Sequence, residues 1–495
     1  MDTRIETAPL AEIESELLAL TIAKGGELNE AVSALDQALE GAISQLLADG
    51  DIEGKPGESL LFHTRGAVAC KRLLLLGVGP EEASSPDTWR MAAAAAAQQA
   101  KKLGLGAFGM SLYGAEQGAD VAQAVVEGAM LGSYSYDALK SEEDDIKSPP
   151  TDVLLAVDTG DAVKAQEGAQ CGAVIGQATN LARDLVNAPA NYMTPTLLAE
   201  RAEAVSAEMG LQATILEERE MAELGMGSLL GVAQGANEPA KLIVLEHNAG
   251  RDDLPTYVVV GKGITFDSGG ISLKPSQGME AMKYDMSGAA ATLGIMEAVA
   301  GLDLPLHVVG IMPATENMPG GRAYHPGDVL TSMSGQTIEV ISTDAEGRLI
   351  LADALTYAAR FEPKAVVDMA TLTGGCIVAL GGVACGLMGT DEDLVGQLEA
   401  ASRACGQKVW ELPLWDEYAE QIKSDVADVK NSGGRPASTI IGGMFLKRFA
   451  KDYAWAHLDI AGTAWQLHLQ GYRVKGATGV GVRLLVQWLR DRCES

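Results

Sequence analysis

Tyr257–Gly270 reads YVVVGKGITFDSGG, an apolar run that leads directly into a glycine-rich turn. The turn carries Lys262 and Asp267. A continuous apolar run, as opposed to an alternating one, is typical of a strand buried on both faces, as in a parallel sheet. Ligand sites in open α/β sheets form just beyond the ends of such strands. This segment therefore predicts a parallel-sheet fold with a functional site at a strand end.

Similar apolar runs recur along the chain, with helical stretches between them. The clearest runs are 73–76, 153–157, 242–245, 306–311 and 365–367, and the clearest helices are 91–103, 289–300 and 349–361. This alternation predicts two α/β domains. We expect a smaller N-terminal domain, joined by a long helix to a larger catalytic domain with a mixed, mostly parallel central sheet. The predicted boundaries are 1–160 for the N-terminal domain, 161–186 for the connecting helix and 187–495 for the catalytic domain.

Composition limits the function classes. The chain has 37 basic and 67 acidic residues, a formal charge of −30, which disfavours binding to nucleic acid in general. Its six cysteines form no CxxC pair, which favours a reducing compartment. The acidic start lacks an apolar signal core, and the uncharged stretch 369–390 is too broken by glycine for a lone membrane helix. We therefore expect a cytoplasmic protein without a membrane segment, and a solvated loop at the acidic run 141–145.

Two further segments place acidic residues beside glycine-containing turns. Residues 282–290 read MKYDMSGAA and contain Asp285, while residues 342–349 read STDAEGRL and contain Asp344 and Glu346. The second of these follows a strand-like stretch at 337–341. On an extended segment two side chains that are two residues apart face the same way, so Asp344 and Glu346 can point into one cleft. Asp353, further along, is interpreted as an acid in the first turn of a helix.

Four converging carboxylates repel one another, and two divalent cations would balance their charge. Lys262 and Lys274 belong to the same segment of the sequence. A lysine ligates a metal only as a neutral amine, which burial beside dications allows. A second lysine that stays charged would stabilise a developing oxyanion. Arg348 adds a positive charge that suits a bound anion. The residues thus predict a two-metal site that handles an anionic intermediate.

The same residues carry a resemblance to a known family. Thr343–Leu349, TDAEGRL, resembles the signature of the leucyl aminopeptidase (cytosol aminopeptidase) family, bacterial aminopeptidase A type. Residues 261–270 with Lys274, Asp285 in its turn, and the segments 183–195 and 424–435 resemble the family as well. Ser342 stands where the family usually has asparagine. The first domain is similar to the family only in size and α/β pattern.

The resemblance implies a role for each candidate residue. One metal would be held by Lys262, Asp267, Asp285 and Glu346, and the other by Asp267, Asp344 and Glu346. Lys274 would polarise the scissile carbonyl, and Arg348 would anchor a bicarbonate that acts as general base. The pocket for the first side chain of the substrate would be lined by Met282, Thr371 and Gly374.

The activity implied is that of a metal-dependent aminopeptidase, which removes unblocked N-terminal residues from peptides through a two-metal-activated water. Leucine and other apolar residues would be favoured. A free α-amine can occupy a metal position, which restricts cleavage to chain ends. The mixed oxygen and amine ligands suit Mn²⁺, with Zn²⁺ and Mg²⁺ as the other candidates. The family is homohexameric, so the resemblance also implies a hexamer.

Two alternative functions stay open on the sequence alone. A two-metal phosphoesterase shares the carboxylate cluster, although such sites usually recruit histidines and arginines for phosphate, and none cluster here. A DNA-binding regulator on the same scaffold is the third hypothesis, which the charge of −30 disfavours. No HExxH, GxSxG or Walker A motif is present in the sequence.

Overall fold

The computed structural model describes residues 1–25, 27–115, 118–141 and 147–493. Their contacts divide the chain into two compact units. The first comprises Met1–Asn180 with His468–Val474, and the second comprises Leu181–Leu467 with Lys475–Ser495. The boundaries that we place at 160 and 186 stay a prediction. The acidic run of the expected loop lies largely outside the described residues.

The first unit is built on a parallel sheet. Its elements are β1 (Asp2–Glu6), β2 (Leu18–Ala23), α1 (Glu30–Ala38), α2 (Ala42–Ala48), β3 (Ser59–His63), β4 (Arg72–Gly79), α3 (Pro86–Leu103), β5 (Ala107–Ser111), α4 (Gly118–Ser133), β6 (Asp152–Ala156) and the start of α5 (Ala162–Asn187). Its described strands form a six-stranded sheet in the order β1-β6-β5-β2-β4-β3, in which β3 runs antiparallel to β4 and the other pairs are parallel. The long helix expected between the domains is α5.

Helix α3 shows how local sequence sets an element of this unit. Ser85 caps its start by accepting a hydrogen bond from the Thr88 amide, Pro86 occupies the first turn, and Gly104 ends the helix in a left-handed conformation. Its run of alanines is buried against the sheet and against α4. Small side chains let the two helices approach closely, which accounts for the alanine-rich composition of this stretch.

The first unit also contains a short segment from near the end of the sequence, His468–Val474. Tyr472 is buried and packs in one cluster with Ala94 and Leu131. Its hydroxyl donates to Asp87 Oδ1 at 2.9 Å, and Gln98 Nε2 donates to the carbonyl of Gly471 at 2.8 Å. The segment is thus an integral part of the packing of this unit.

The second unit holds the remaining elements. They are α6 (Pro195–Met209), β7 (Gln212–Leu216), α7 (Glu218–Glu223), α8 (Gly227–Ala233), β8 (Lys241–His247), β9 (Thr256–Gly261), β10 (Gly263–Asp267), α9 (Ser287–Gly301), β11 (His307–Asn317), β12 (Val329–Thr331), β13 (Thr337–Glu339), α10 (Gly347–Ala358), β14 (Ala365–Ala370), α11 (Gly374–Leu380), β15 (Cys385–Gly389), α12 (Glu392–Cys405), β16 (Val409–Glu411), β17 (Val429–Lys430), α13 (Ser438–Lys447), β18 (Ala454–Asp459), β19 (Trp465–Gln466), β20 (Gly476–Ala477) and α14 (Val482–Asp491).

The central sheet of this unit has the order β16-β15-β18-β14-β9-β11-β8-β7, and β10 pairs with β11. Strands β18, β14, β9, β11 and β10 are parallel neighbours, whereas β7 and β8 on one side and β15 on the other introduce antiparallel pairs. The carboxyl ends of the parallel strands share one edge, where ligand sites form in such sheets. The two-domain α/β fold with mixed, mostly parallel sheets is therefore confirmed.

The quoted apolar runs all fall in strands, and the helices predicted at 91–103 and 289–300 lie within α3 and α9. The strand-like stretch 337–341 contains β13. Its strand, β13, pairs with β12 and β17 in a small separate sheet, so it does not extend the central one. The glycine-rich stretch 369–390 is divided among β14, α11 and β15. In the described parts of the chain no helix combines the length and the apolar character that crossing a membrane requires.

Candidate active site

The parallel strands of the central sheet deliver a group of charged side chains to one edge. Lys262 directly follows β9, and Asp267 is the last residue of β10. Asp285 lies in a 3₁₀ helix, Met279–Met286, that leads into α9. Glu346 immediately precedes α10, and Asp344 lies two residues earlier. Four separate segments thus contribute to one site.

Lys262 is the buried centre of this group. Its Nζ lies 2.8 Å from both Asp285 Oδ2 and Glu346 Oε1, and it donates to the carbonyl of Thr371 at 3.0 Å. Gly347 is needed here, because a Cβ at that position would lie 2.5 Å from Lys262 Cε. Burial would lower the pKa of Lys262, but Asp285 and the neighbouring carboxylates outweigh it and raise the pKa above its usual value. Lys262 therefore carries the charge that balances Asp285 and Glu346 here.

Lys274 joins the other two acids. Its Nζ lies 2.7 Å from Asp267 Oδ2 and 2.6 Å from Asp344 Oδ1. Its side chain is 23% exposed, against 3% for Lys262, so Lys274 faces the accessible side of the cluster. Burial opposes its charge, but Asp267 and the other acids raise its pKa. The two lysines therefore differ in accessibility while sharing the same kind of partner.

The pKa values of the four acids are shifted from their ordinary values. Burial, and then the charge of Glu346, raise the pKa of Asp267 to about 6. Burial also raises the pKa of Asp285 and of Asp344. Burial would do the same to Glu346, but Lys262 and Lys274 lower its pKa below the ordinary value. Carboxylates held close together, three of them buried, compete for the two positive charges of the lysines.

The residues present fit a bound cation. One carboxylate oxygen each from Asp267, Asp344 and Glu346 lies within 4.8 Å of the others, a spacing that a metal ion can bridge. Four carboxyl groups face two lysine ammonium groups, so the cluster when fully ionised carries two more negative than positive charges. Asp285 Oδ2 is buried and, among the described residues, accepts no hydrogen bond of good geometry despite its closeness to Lys262. Oxygen ligands with surplus negative charge suit divalent cations.

Arg348 lies beside the cluster, in the first turn of α10. It is buried, and its Nη1 donates to the carbonyl of Asn431 at 2.8 Å. Its Nε is buried without a hydrogen-bond partner in the part of the chain that the structure describes. Burial lowers the pKa of Arg348 to about 10. An unpaired buried donor of this kind is suited to a small anion.

The three predicted pocket residues have different surroundings. Thr371 follows β14 and is joined to the cluster, because its Oγ1 donates to Asp285 Oδ1 at 2.6 Å. Met282 lies three residues before Asp285 and is half-buried. Gly374 begins α11, is exposed, and has open space where a Cβ would be. The structure thus ties Thr371 directly to the charged residues, while the pocket role of all three stays a prediction.

Two sequence-based interpretations were wrong in their local geometry. Residues 343–344 form a turn and Glu346 has helical dihedral angles, so Asp344 and Glu346 do not lie on an extended segment. They meet because the turn folds both toward Asp267. Asp353 is not a first-turn acid: it lies in the middle of α10, fully buried, and accepts hydrogen bonds from the amides of Leu229 and Met333.

Several residues that hold the site together escaped the sequence analysis. The carbonyl of Thr343 accepts hydrogen bonds from Asn317 Nδ2 and from the Tyr324 hydroxyl, at 3.0 and 2.9 Å. Asn431 supports the other side of the same turn through Ile341 and Ser342. Asn317 could have been found by the rule that located Asp267, since it is a polar residue at the end of a buried strand. Tyr324 lies in an irregular stretch and gave no such signal.

Comparison with known proteins agrees with this geometry. Residues 180–486 match the profile of the cytosol aminopeptidase family, catalytic domain, and residues 19–143 match that family's N-terminal domain. A probable cytosol aminopeptidase of Geotalea uraniireducens is 50% identical over 467 residues, 92% of each chain. A cytosol aminopeptidase of Pseudomonas aeruginosa is 45% identical over 499 residues, covering both chains completely.

Solved structures show the same similarity. A mutant tomato leucine aminopeptidase is 33% identical, with a TM-score of 0.90 over 99% of this chain and 96% of that one. The bottromycin maturation enzyme BotP in complex with Mn is 34% identical, with a TM-score of 0.85 over 97% and 99%. These relatives support neither the phosphoesterase nor the DNA-binding alternative. The chain belongs to the cytosol aminopeptidase family and is a metal-dependent aminopeptidase.

Proposed function

We propose that this protein removes N-terminal residues, leucine and other apolar ones above all, from peptides with a free α-amine, using two divalent metal ions. The observation that carries the proposal is the convergence of four carboxyl groups and two lysines at one edge of the central sheet, where the acids outnumber the bases. A peptidase site without histidine needs such a donor set if metal ions are to be bound.

The ligands divide between two positions. One ion would be held by Lys262, Asp267, Asp285 and Glu346, with Lys262 as a neutral amine once the charge of the ion takes the place of its proton, and the other by Asp267, Asp344 and Glu346. The spacing of Asp267, Asp344 and Glu346 supports the second set. Bound ions would supply Lewis-acid activation of the attacking water and of the scissile carbonyl. We infer Mn²⁺ as the native ion, because BotP was solved with Mn and the donors are mainly oxygen.

Lys274 and Arg348 supply the catalytic charges of the chain itself. Lys274 is accessible and stays protonated among acids, so its ammonium group can face the carbonyl oxygen and stabilise negative charge as it develops. Arg348 would hold a bicarbonate through its unpaired buried Nε, and that anion would supply a general base. The first side chain of the substrate lies beside Met282, Thr371 and Gly374, where Gly374 leaves open space.

The oligomeric state and the cellular location are inferred from the same family. We propose a cytoplasmic homohexamer, as the name cytosol aminopeptidase of the relatives and the family resemblance suggest. Light scattering of the purified protein tests the hexamer directly, and a monomer at working concentration would contradict it.

The test of the activity is hydrolysis of leucine p-nitroanilide before and after exhaustive chelation. We expect chelation to abolish the reaction and Mn²⁺ to restore it. Peptides with a free N-terminus should shorten from that end, and their N-acetylated counterparts should resist, since blocking removes the amine that a metal would bind. Full activity in protein shown to be metal-free, or internal cleavage seen by mass spectrometry, would overturn the proposal.

A further inference from the structure

Asn317, the last residue of β11, lies fully buried between the acids of the site. Its Nδ2 donates to Asp267 Oδ1 at 2.8 Å and to the carbonyl of Thr343 at 3.0 Å, and it lies 3.4 Å from Glu346 Oε2. An amide nitrogen carries two hydrogens, so the two short bonds use them and the contact with Glu346 is shared. One side chain therefore contacts two of the acids and the turn that carries a third.

The main chain of Asn317 is fixed to the same region. Its carbonyl accepts hydrogen bonds from the amide of Ser268 at 3.1 Å and from Ser268 Oγ at 2.7 Å. Asp267 and Asn317 are also partners in the β10–β11 pairing, at the point where its register shifts. Both the backbone and the side chain of Asn317 therefore hold the turn that follows Asp267.

The surroundings allow the amide only one orientation. Asn317 Oδ1 is buried and has no hydrogen-bond partner among the described residues. It lies against Gly270, where an added Cβ would be 2.7 Å away. A reversed amide would turn Oδ1 toward two carboxylates and a carbonyl, all of which are acceptors. Leaving Oδ1 unpaired costs free energy, but this orientation directs both amide hydrogens at acceptors of the site.

We propose that Asn317 is a positioning residue of the metal site: its amide fixes the orientation of Asp267 and Glu346, the two acids shared between the ions, and through Thr343 that of Asp344. This inference rests on the proposed function. A neutral donor suits the place, because a cationic side chain would compete with the metal ions and a carboxylate would add repulsion. Residues behind metal ligands commonly contribute about 10- to 100-fold to metal affinity.

The test is a calorimetric Mn²⁺ titration of metal-free protein. Asn317→Leu removes the donors at nearly constant size and adds no charge, while Asn317→Ser is a smaller variant that leaves room for water. We expect both binding steps to weaken by about 10-fold or more in Asn317→Leu, since Asp267 and Glu346 belong to both metal positions. Circular dichroism and the midpoint of thermal unfolding of the metal-free proteins show whether the fold is intact.

Thr315→Val is the matched control. Thr315 is buried in the same strand two residues earlier, and its hydroxyl bonds only to the neighbouring carbonyl of Glu316 within the described structure, so its metal affinities should equal those of the wild type. Wild-type affinities in a folded Asn317→Leu or Asn317→Ser protein would overturn the inference. So would unfolding of both Asn317 variants beside a folded control, because the role would then be structural. Failure of the wild type itself to bind two ions would contradict the proposed function instead.

Discussion

Two groups of acids in the second unit are held in different ways. The site acids are Asp267, Asp285, Asp344 and Glu346, which share two lysines. The partnered acids are Asp353, Asp368 and Asp459, and every carboxylate oxygen of these three has its own donor. Asp368, for example, accepts from Trp455 Nε1 at 2.7 Å and pairs with His457 Nδ1 at 2.5 Å.

The partnered acids show that burial alone does not make a functional site. Asp459 Oδ1 accepts from the amides of Leu372 and Ala461, and Oδ2 accepts from the hydroxyl of Thr373. Such a carboxylate links segments of the fold, and both of its oxygens are already occupied by hydrogen-bond donors. The site acids face one another and have fewer cations than charges. The closeness of the carboxylates to one another, more than depth, distinguishes the functional group.

Removing a ligand from the site acids is expected to have the largest effect. Glu346→Gln and Asp344→Asn each remove a charge that balances the metal ions, so both metal occupancy and turnover should fall. The loss in kcat should exceed about a hundredfold, the upper range for residues that only support ligands. Elemental analysis and leucine p-nitroanilide kinetics measure the two quantities. Normal metal content with near-normal turnover in both variants would show that Glu346 and Asp344 have a structural role, like the partnered acids.

The two lysines should separate into different roles. Lys274→Ala should keep both metals yet lower kcat by about a hundredfold or more, because it loses a charge that acts on the developing oxyanion, and KM should change less. Lys262→Ala should instead weaken the binding of one metal. Metal titration and steady-state kinetics of both variants measure metal affinity and kcat side by side. Equal metal loss in both variants, or an unaltered rate in Lys274→Ala, would remove the distinction.

Among the partnered acids, Asp368→Asn should affect stability and leave the metals in place. The amide can accept from either Trp455 or His457 but not from both, which leaves one buried donor unpaired at a cost of about 2 kcal/mol. The midpoint of thermal unfolding should therefore fall by a few degrees. Differential scanning calorimetry and elemental analysis test both parts. Loss of metal from a folded Asp368→Asn protein would mean that the two groups of acids are coupled.

The last expected effect is a change in the pH dependence of stability. Burial raises the pKa of Asp353 from 3.8 to about 7, although the amides of Leu229 and Met333 oppose it. The folded protein therefore keeps a proton that the unfolded chain has lost, and this contribution to stability disappears as pH rises through 7. Asp353→Asn should flatten the decline in unfolding midpoint between about pH 4 and 7. An unchanged slope would show that Asp353 is already ionised in the folded protein.

Much of the fold was accessible from the sequence because buried parallel strands are continuous apolar runs. Tyr257–Val260 and the similar runs fall in strands. Lys262 and Asp267 were predicted as site residues from their positions at strand ends. The small sheet that contains β13 was not predicted, since a three-residue strand carries little pattern. We predicted that Asp344 and Glu346 lie together because we assumed an extended segment. In the structure a turn followed by the start of a helix brings them together instead.

The supporting residues were harder to predict than the ligands. Thr343 and Asn431 act in part through main-chain and side-chain hydrogen bonds whose partners are 71 to 90 residues away. Such contacts leave no local periodicity in the sequence. Asp353 was misassigned because an isolated acid in a helix is usually a surface residue, and only the tertiary structure shows that it caps other segments from within the core.

The segment His468–Val474 has a consequence for the synthesis of the protein. Most of the first unit is encoded by the first 180 residues, yet Tyr472 belongs to its packing. Domains generally fold in order as the ribosome delivers them. Here the packing of the first unit is completed by His468–Val474, which is synthesised only after nearly the whole second unit. Until then Ala94 and Leu131 stay without Tyr472, so the first domain to be made is among the last to be finished.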